Sequence, residues 1–270
     1  MAMPVQANAD RFLGLGQVYD ANRPAVPQVV MDLLCRYARV ERPGLVVDLG
    51  CGTGLSCRAW LGKAERIVGI EPNSDMRRQA VESFRSFPGG QAAEFRAGHS
   101  QATGLGDGSA DIVTCSQSMH WMEPEPTLAE AARILRQGGV FAAVDCDLPP
   151  AFDWEVEAAY REMQGRVKAF EERPEFARAV RWDKAGHLGR MKESGRFSFV
   201  REVVLHGLEQ GGAERLEGLA RSLGGVSVLL GAGVSEQDIG LSGLVQTARR
   251  ILGDAIVLWV IGYRVRLGVK

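Results

Sequence analysis

The chain has 270 residues, 46% of them hydrophobic and 24% charged, and its 32 Lys and Arg stand against 33 Asp and Glu for a formal net charge of −1. Such a composition excludes disorder and fibrous architecture and gives enough apolar mass to bury a sizeable core. With no general basic field, neither a nucleic acid nor an anionic membrane surface is expected as a partner.

The longest purely apolar run, Ala255 to Ile261, is far shorter than the roughly 20 residues of a spanning helix. The first ten residues, MAMPVQANAD, carry no basic segment followed by an apolar stretch, so they read as neither a secretion signal nor a transit peptide, and a cytoplasmic location is expected. Cys35, Cys51, Cys57, Cys115 and Cys146 are an odd set without a C-x-x-C pair, and His99, His120, His187 and His206 have no ligand spacing. Neither a disulfide framework nor a metal is expected.

In chain order, the apolar residues between Ala25 and Ala38 recur at helical spacing, and Arg42-Pro43-Gly44 stops that helix. A strand (45 to 50), a helical segment, a second strand (66 to 71) and a helix with Met76, Ala80, Phe84 and Phe87 on one side follow. The alternation continues through strands at 93 to 98, 111 to 117 and 140 to 145, the last after a Gly138-Gly139 turn. Five strand-helix units in a row predict an α/β fold with a doubly wound, mostly parallel sheet covered by helices on both faces. Ligands of such sheets bind beyond the carboxyl ends of the strands, which directs attention to the residues that follow each strand.

Beyond Pro149-Pro150 the rhythm changes. A helix from Trp154 to Glu172 and an irregular stretch through Trp182, His187 and Gly195 precede a strand at 197 to 206, two helical segments (roughly 213 to 230 and 236 to 252) and a final strand from Ala255. The expectation is one domain: a ligand-binding core over 19 to 147, a helical cap over 151 to 195 between the fifth and sixth strands, and C-terminal elements over 196 to 270 that complete a seven-stranded sheet.

The first strand ends in Asp48-Leu49-Gly50-Cys51-Gly52-Thr53-Gly54, where glycines allow a sharp turn and a close approach of backbone to a ligand. Glu71, twenty-three residues after Asp48 at the end of the second strand, stands where a carboxylate accepts the hydroxyls of an adenosine ribose. Together these residues resemble the first two motifs of the class I S-adenosylmethionine-dependent methyltransferases, D-x-G-x-G-x-G and the acid of the second strand. Dinucleotide dehydrogenases use G-x-G-x-x-G against a pyrophosphate, beside which Asp48 would place a negative charge. A cationic cofactor without phosphate fits better.

The segment Ser116 to Pro126 resembles the Q-x-x-H-W stretch of the small-molecule branch that includes trans-aconitate-type and ubiquinone/menaquinone-type methyltransferases, and Tyr19-x-x-x-Arg23-Pro24 is similar to the N-terminal stretch of that branch. The resemblance implies S-adenosyl-L-methionine as cofactor, with Tyr19, Arg23, Asp48, Gly50, Cys51, Gly52, Thr53, Gly54, Glu71, Pro72, Ser116 and Gln117 around it. Where the family usually carries an acid after the third strand to meet the adenine amino group, this chain has Gly98-His99-Ser100-Gln101, so Ser100 and Gln101 are the expected neutral contacts. Cys51 has no local base or positive field to make it a nucleophile and is expected to touch the cofactor through its backbone.

His120 follows the fourth strand and is the candidate catalytic base, against the plainer reading of a helix cap. Trp121, Trp154, Trp182 and His187 are candidates for the substrate lining, though tryptophan also anchors helices on sheets. Arg190, Arg196 and Arg201 read as a solvated face. The expected activity is methyl transfer to an oxygen, nitrogen or carbon nucleophile of a small metabolite. Carbon methylation of a quinone or aromatic ring is the alternative within the class. A nicotinamide-dependent oxidoreductase, disfavoured by Asp48 and by the lack of a Tyr/Lys pair, and a non-catalytic cofactor-binding partner are the alternatives outside it.

Overall fold

Helix α1 (Gln28–Ala38) buries Val30, Met31, Leu34 and Ala38, one stripe of the predicted periodicity, and ends on Arg39 in the left-handed conformation. The strand that follows, β1 (Leu45–Leu49), is buried at every position, and β2 (Arg66–Ile70) at every position after Arg66, as parallel strands covered on both faces must be. Between them lies the single turn α2 (Leu55–Arg58), and after them α3 (Ser74–Phe84), whose N-terminus is capped by the Asn73 side chain accepting from the amides of Asp75 and Met76. Met76, Ala80 and Phe84 form its buried face, and Phe87 lies beyond its end. The computed structural model describes residues 22–176 and 180–270.

Strands β3 (Ala93–Arg96), β4 (Ala110–Ser116) and β5 (Leu135–Cys146), with α4 (Pro124–Ile134) between the last two, complete the parallel part. The Gly138-Gly139 pair does not break the chain as expected. It lies within β5, which runs straight on from α4 because Leu135 already pairs with Ala110, with a register irregularity before Val140 meets Ile112. Then come α5 (Trp154–Glu171), the short α6 (His187–Glu193), β6 (Phe199–Gly211), α7 (Ala213–Arg221), α8 (Gly224–Gly231), α9 (Leu241–Leu252) and β7 (Val257–Val269). The seven-stranded sheet has the order β3-β2-β1-β4-β5-β7-β6, with β7 antiparallel to both its neighbours.

Alternation along the central strands sends side chains to two separate cores. Val46, Ile112, Val140, Ala142 and Val144 join the side that holds α1 and α5, whereas Val47, Val113, Phe141 and Ala143 join Leu128, Ala131 and Met191 on the side of α4 and α6. The segment after β5, where a cap over 151 to 195 is expected, is joined through its long helix to the C-terminal helices. Its long helix α5 packs on α8 and α9, and its buried Val156, Tyr160, Met163 and Val167 share a core with Leu216, Leu229 and Leu244 of the C-terminal helices. Helical periodicity announced a buried face but not its partner, and that partner is a C-terminal helical layer. Among the described residues no helix is long and apolar enough to cross a membrane.

Candidate functional site

The sheet order reverses between β1 and β4, and the carboxyl ends of five strands open there into one cavity. Gly50, Cys51 and Gly52 follow β1, Glu71 and Pro72 follow β2, and His99 and Ser100 follow β3. Ser116 ends β4, with Gln117 and Ser118 after it, and Cys146 ends β5. Arg23, Pro24 and Val26 from the stretch before α1, Leu55 and Ser56 of α2, Met76 of α3, and Trp121 and Met122 complete the wall.

The glycine loop is built from beneath. Gly50 N–H and Cys51 N–H both donate to the carbonyl of Ile70 (2.8 and 3.2 Å), which turns the chain over the end of β2. Gly50, Gly52 and Gly54 all have positive φ (66°, 55° and 82°), so each needs glycine for its backbone. Their surroundings differ. A Cβ at Gly50 would lie 2.6 Å from Met122, and one at Gly54 2.8 Å from Phe84, whereas one at Gly52 would meet, among the described residues, only Met76 Sδ at 3.6 Å and otherwise enter the cavity. Gly50 and Gly54 therefore hold the loop to the protein, and Gly52 offers its bare backbone to a ligand.

Asp48 does not line the cavity. It is 1% exposed beneath the loop, where Ser56 Oγ, Thr114 Oγ1 (2.7 Å) and Cys57 Sγ (3.6 Å) donate to its carboxylate. Burial pushes its pKa up to about 6 despite these bonds. Its charge braces the loop and the start of α2. Thr53 is buried with it, and Gly54 is enclosed by aromatic rings.

Glu71 does reach the cavity. Its Oε2 accepts from Gly52 N–H (2.9 Å) and its Oε1 from Asn73 N–H (2.8 Å), so the carboxylate is fixed in place while each oxygen keeps a lone pair for a ligand hydroxyl. Burial raises its pKa, opposed by those two amides. After β3, Ser100 Oγ shares a 2.8 Å hydrogen bond with Thr127 Oγ1, and Gln101 lies outside the lining while His99 lies in it. Cys51 contributes to the wall, and its thiol is held well above the usual cysteine range by its hydrogen bond to Cys57 and by burial.

The remaining candidates separate. Arg23 and Trp121 line the cavity, and Tyr19 lies outside the described residues. His120 is 6% exposed and stands behind the wall, its ring 4.9 Å from that of Trp121 and its Nδ1 4.0 Å from Asp145 Oδ1. Burial, then the charges of Lys184 and Arg181, hold its pKa well below the usual histidine range. Trp154 is 77% exposed at the start of α5, and Trp182 and His187 are likewise outside the lining; His187 is fully buried at the start of α6. The arginines of the expected solvated face are paired: Arg190 with the carbonyl of Asp183, Arg196 with Glu125, Arg201 with Tyr37. Sequence reasoning missed Ser56, Met76, His99, Met122 and Cys146. For His99 and Cys146 the signal was present, since both stand at or just beyond a strand's carboxyl end.

The two buried histidines predict an acid limb of stability. Burial holds His187 at about pKa 4 against an ordinary 6.5, and His120 is depressed as well, so the unfolded chain binds protons that the native chain does not, and stability falls as pH drops below about 6.5. Asp48, between its ordinary 3.8 and about 6, and Glu71, whose pKa burial also raises, act in the opposite direction and offset part of this loss. His187→Gln should therefore flatten the decline of Tm between pH 7 and pH 5, and an unchanged slope would assign the acid sensitivity elsewhere.

Residues 47–143 match the family model described as "Methyltransferase domain". An uncharacterized methyltransferase of Bacillus subtilis, YcgJ, is 28% identical over 116 residues, 43% of this chain and 46% of its own length. The chain thus spans about half the length of the curated relatives it matches. Among solved structures, a proposed type II methyltransferase from Anaeromyxobacter dehalogenans superposes with a TM-score of 0.68 at 22% identity, over 92% of this chain and 97% of that one. A Haemonchus contortus phosphoethanolamine N-methyltransferase bound to S-adenosylhomocysteine superposes with a TM-score of 0.59 at 12% identity, over 100% of this chain and 61% of that one. The last two likenesses establish the fold.

Proposed function

We propose that this chain is a class I S-adenosylmethionine-dependent methyltransferase and moves a methyl group from that cofactor to an oxygen, nitrogen or carbon nucleophile of a small metabolite. The observation that carries the reading is the pairing of Glu71 with Gly52: a buried carboxylate and a bare glycine backbone, joined by a hydrogen bond, face the same cavity. The residues present suit the cofactor. Glu71 would accept the ribose hydroxyls, and Gly50 to Gly52 would pass beside the ligand without a side chain in the way. His99 and Ser100 would meet the base, and the Ser116 to Ser118 stretch the amino-acid end.

Bound S-adenosylmethionine supplies an activated methyl group on a sulfonium, so the protein needs to add little chemistry of its own. Its part is alignment, which is worth about 7–11 kcal/mol when two reactants are held in line, and exclusion of water. Val26, Leu55, Trp121, Met122 and Cys146 give the cavity an apolar share of its lining, which suits an acceptor with an apolar body. Titration with S-adenosylmethionine, S-adenosylhomocysteine and NADH tests the cofactor: binding of NADH in preference to the other two would overturn the reading. Transfer of labelled methyl across an acceptor panel tests the activity.

His120 serves this reading from behind the wall, as support for Trp121, and not as a base. With an acceptor in hand, His120→Ala should lower kcat by less than about tenfold and leave the shape of the pH-rate profile unchanged. A loss of roughly 10²–10⁴-fold together with a lost acid limb would make it the base after all.

A further inference from the structure

Gln117 is one of two described non-glycine residues with positive φ (55°), a conformation that a residue with a Cβ keeps only when its surroundings hold it. It lines the cavity between Ser116 and Ser118. Its backbone N–H donates to the carbonyl of Val144 (2.8 Å), and its side-chain oxygen accepts from Lys184 Nζ (2.9 Å). Lys184 belongs to the segment inserted between β5 and β6, far from every sequence motif, and the same ammonium lies 2.8 Å from Asp145 Oδ1 near the end of β5. Two neighbours reinforce the attachment. Trp182 N–H donates to the carbonyl of His120 (3.0 Å), and the Arg181 guanidinium lies 4.6 Å from the centre of the Trp121 ring.

We propose that Lys184 is a positioning residue that holds Gln117 in its left-handed conformation, and so fixes the stretch after β4 in the lining of the cavity that Glu71 also faces. The part of this that concerns a ligand rests on the methyltransferase reading above. An ordinary surface ion pair would not join three elements. Lys184 ties the inserted segment to the end of β4 through Gln117 and to β5 through Asp145. A charged donor on a neutral acceptor is among the stronger hydrogen bonds, and among the described residues Gln117 has no second side-chain partner of that kind. Asp145 does not depend on Lys184 alone, because Arg266 Nη1 donates to its other oxygen (2.8 Å). Removing the ammonium therefore leaves the buried carboxylate compensated, and the fold should persist.

The test uses the full chain, with S-adenosylhomocysteine as the probe in titration and amide hydrogen exchange across residues 116 to 122 without ligand. Lys184→Met should weaken binding by about tenfold, the scale of one hydrogen bond to a charged group, and speed exchange in that stretch, with little change in Tm. Lys184→Arg, which keeps charge and donors, should recover most of both. In a Gln117→Gly background, where glycine takes the same φ without strain, Lys184→Met should become silent. Wild-type binding and exchange in Lys184→Met would overturn the proposal, and so would an equal loss in both backgrounds, since Lys184 would then act through Asp145 alone. Failure of the wild type to bind S-adenosylhomocysteine would count against the methyltransferase reading, and the exchange experiment would still decide the role of Lys184.

Discussion

Gly52→Val should abolish cofactor binding while the protein stays folded, with affinity for S-adenosylhomocysteine reduced on the order of a hundredfold or more. The branched side chain would start where, among the described residues, only Met76 Sδ lies within 4 Å and extend into the space that the loop and Glu71 face. The same substitution also strains the backbone, because φ is 55° there, at a cost of about 1–2 kcal/mol. Gly62 separates the two effects. It has φ of 75°, open space around it and no place in the cavity wall, so Gly62→Val carries the backbone cost alone and should bind as the wild type does. Equal affinities for Gly52→Val and Gly62→Val, measured by titration on proteins of matched Tm, would mean that the loop does not touch the ligand.

The second large effect belongs to Glu71. Glu71→Ala should weaken S-adenosylhomocysteine binding by roughly 1.5–3 kcal/mol, the worth of hydrogen bonds to a charged group. The variant also releases Gly52 N–H and Asn73 N–H, which now donate to the carboxylate, so the loop loses an anchor along with the ligand contact. Glu71→Gln distinguishes the two: its amide oxygen can keep one of those bonds without the charge. If Glu71→Gln restores Tm but not affinity, the charge acts on the ribose. Unchanged affinity in both variants would remove Glu71 from the site.

What could be read from the sequence followed from rules that operate within a few residues. Strand alternation with helices placed β1 to β5, and the loop glycines and Glu71 stood out because backbone geometry dictates residue type there. Asp48 carried the same motif, yet its surroundings were not legible. Spacing marks it as part of the loop, and only the fold shows Ser56 and Thr114 turned toward its carboxylate. His99 had the strand-end position but no chemical label, and Ser56 and Met76 reach the cavity from helix faces whose rotation no local pattern fixes. Lys184 is the extreme case, since it meets Gln117 across 67 residues of chain.

The packing of α5 on the C-terminal helices separates two properties that share the segment between β5 and β6. The long helix is structural mass, and replacing it would strip a partner from α8 and α9. Residues 181 to 184, by contrast, touch the loop after β4 through an amide, an ammonium and a guanidinium without contributing to either core. In such an arrangement the support behind a pocket wall can diverge between relatives at small cost to folding, and grafting experiments that seek to alter ligand preference have a four-residue target instead of a whole inserted region.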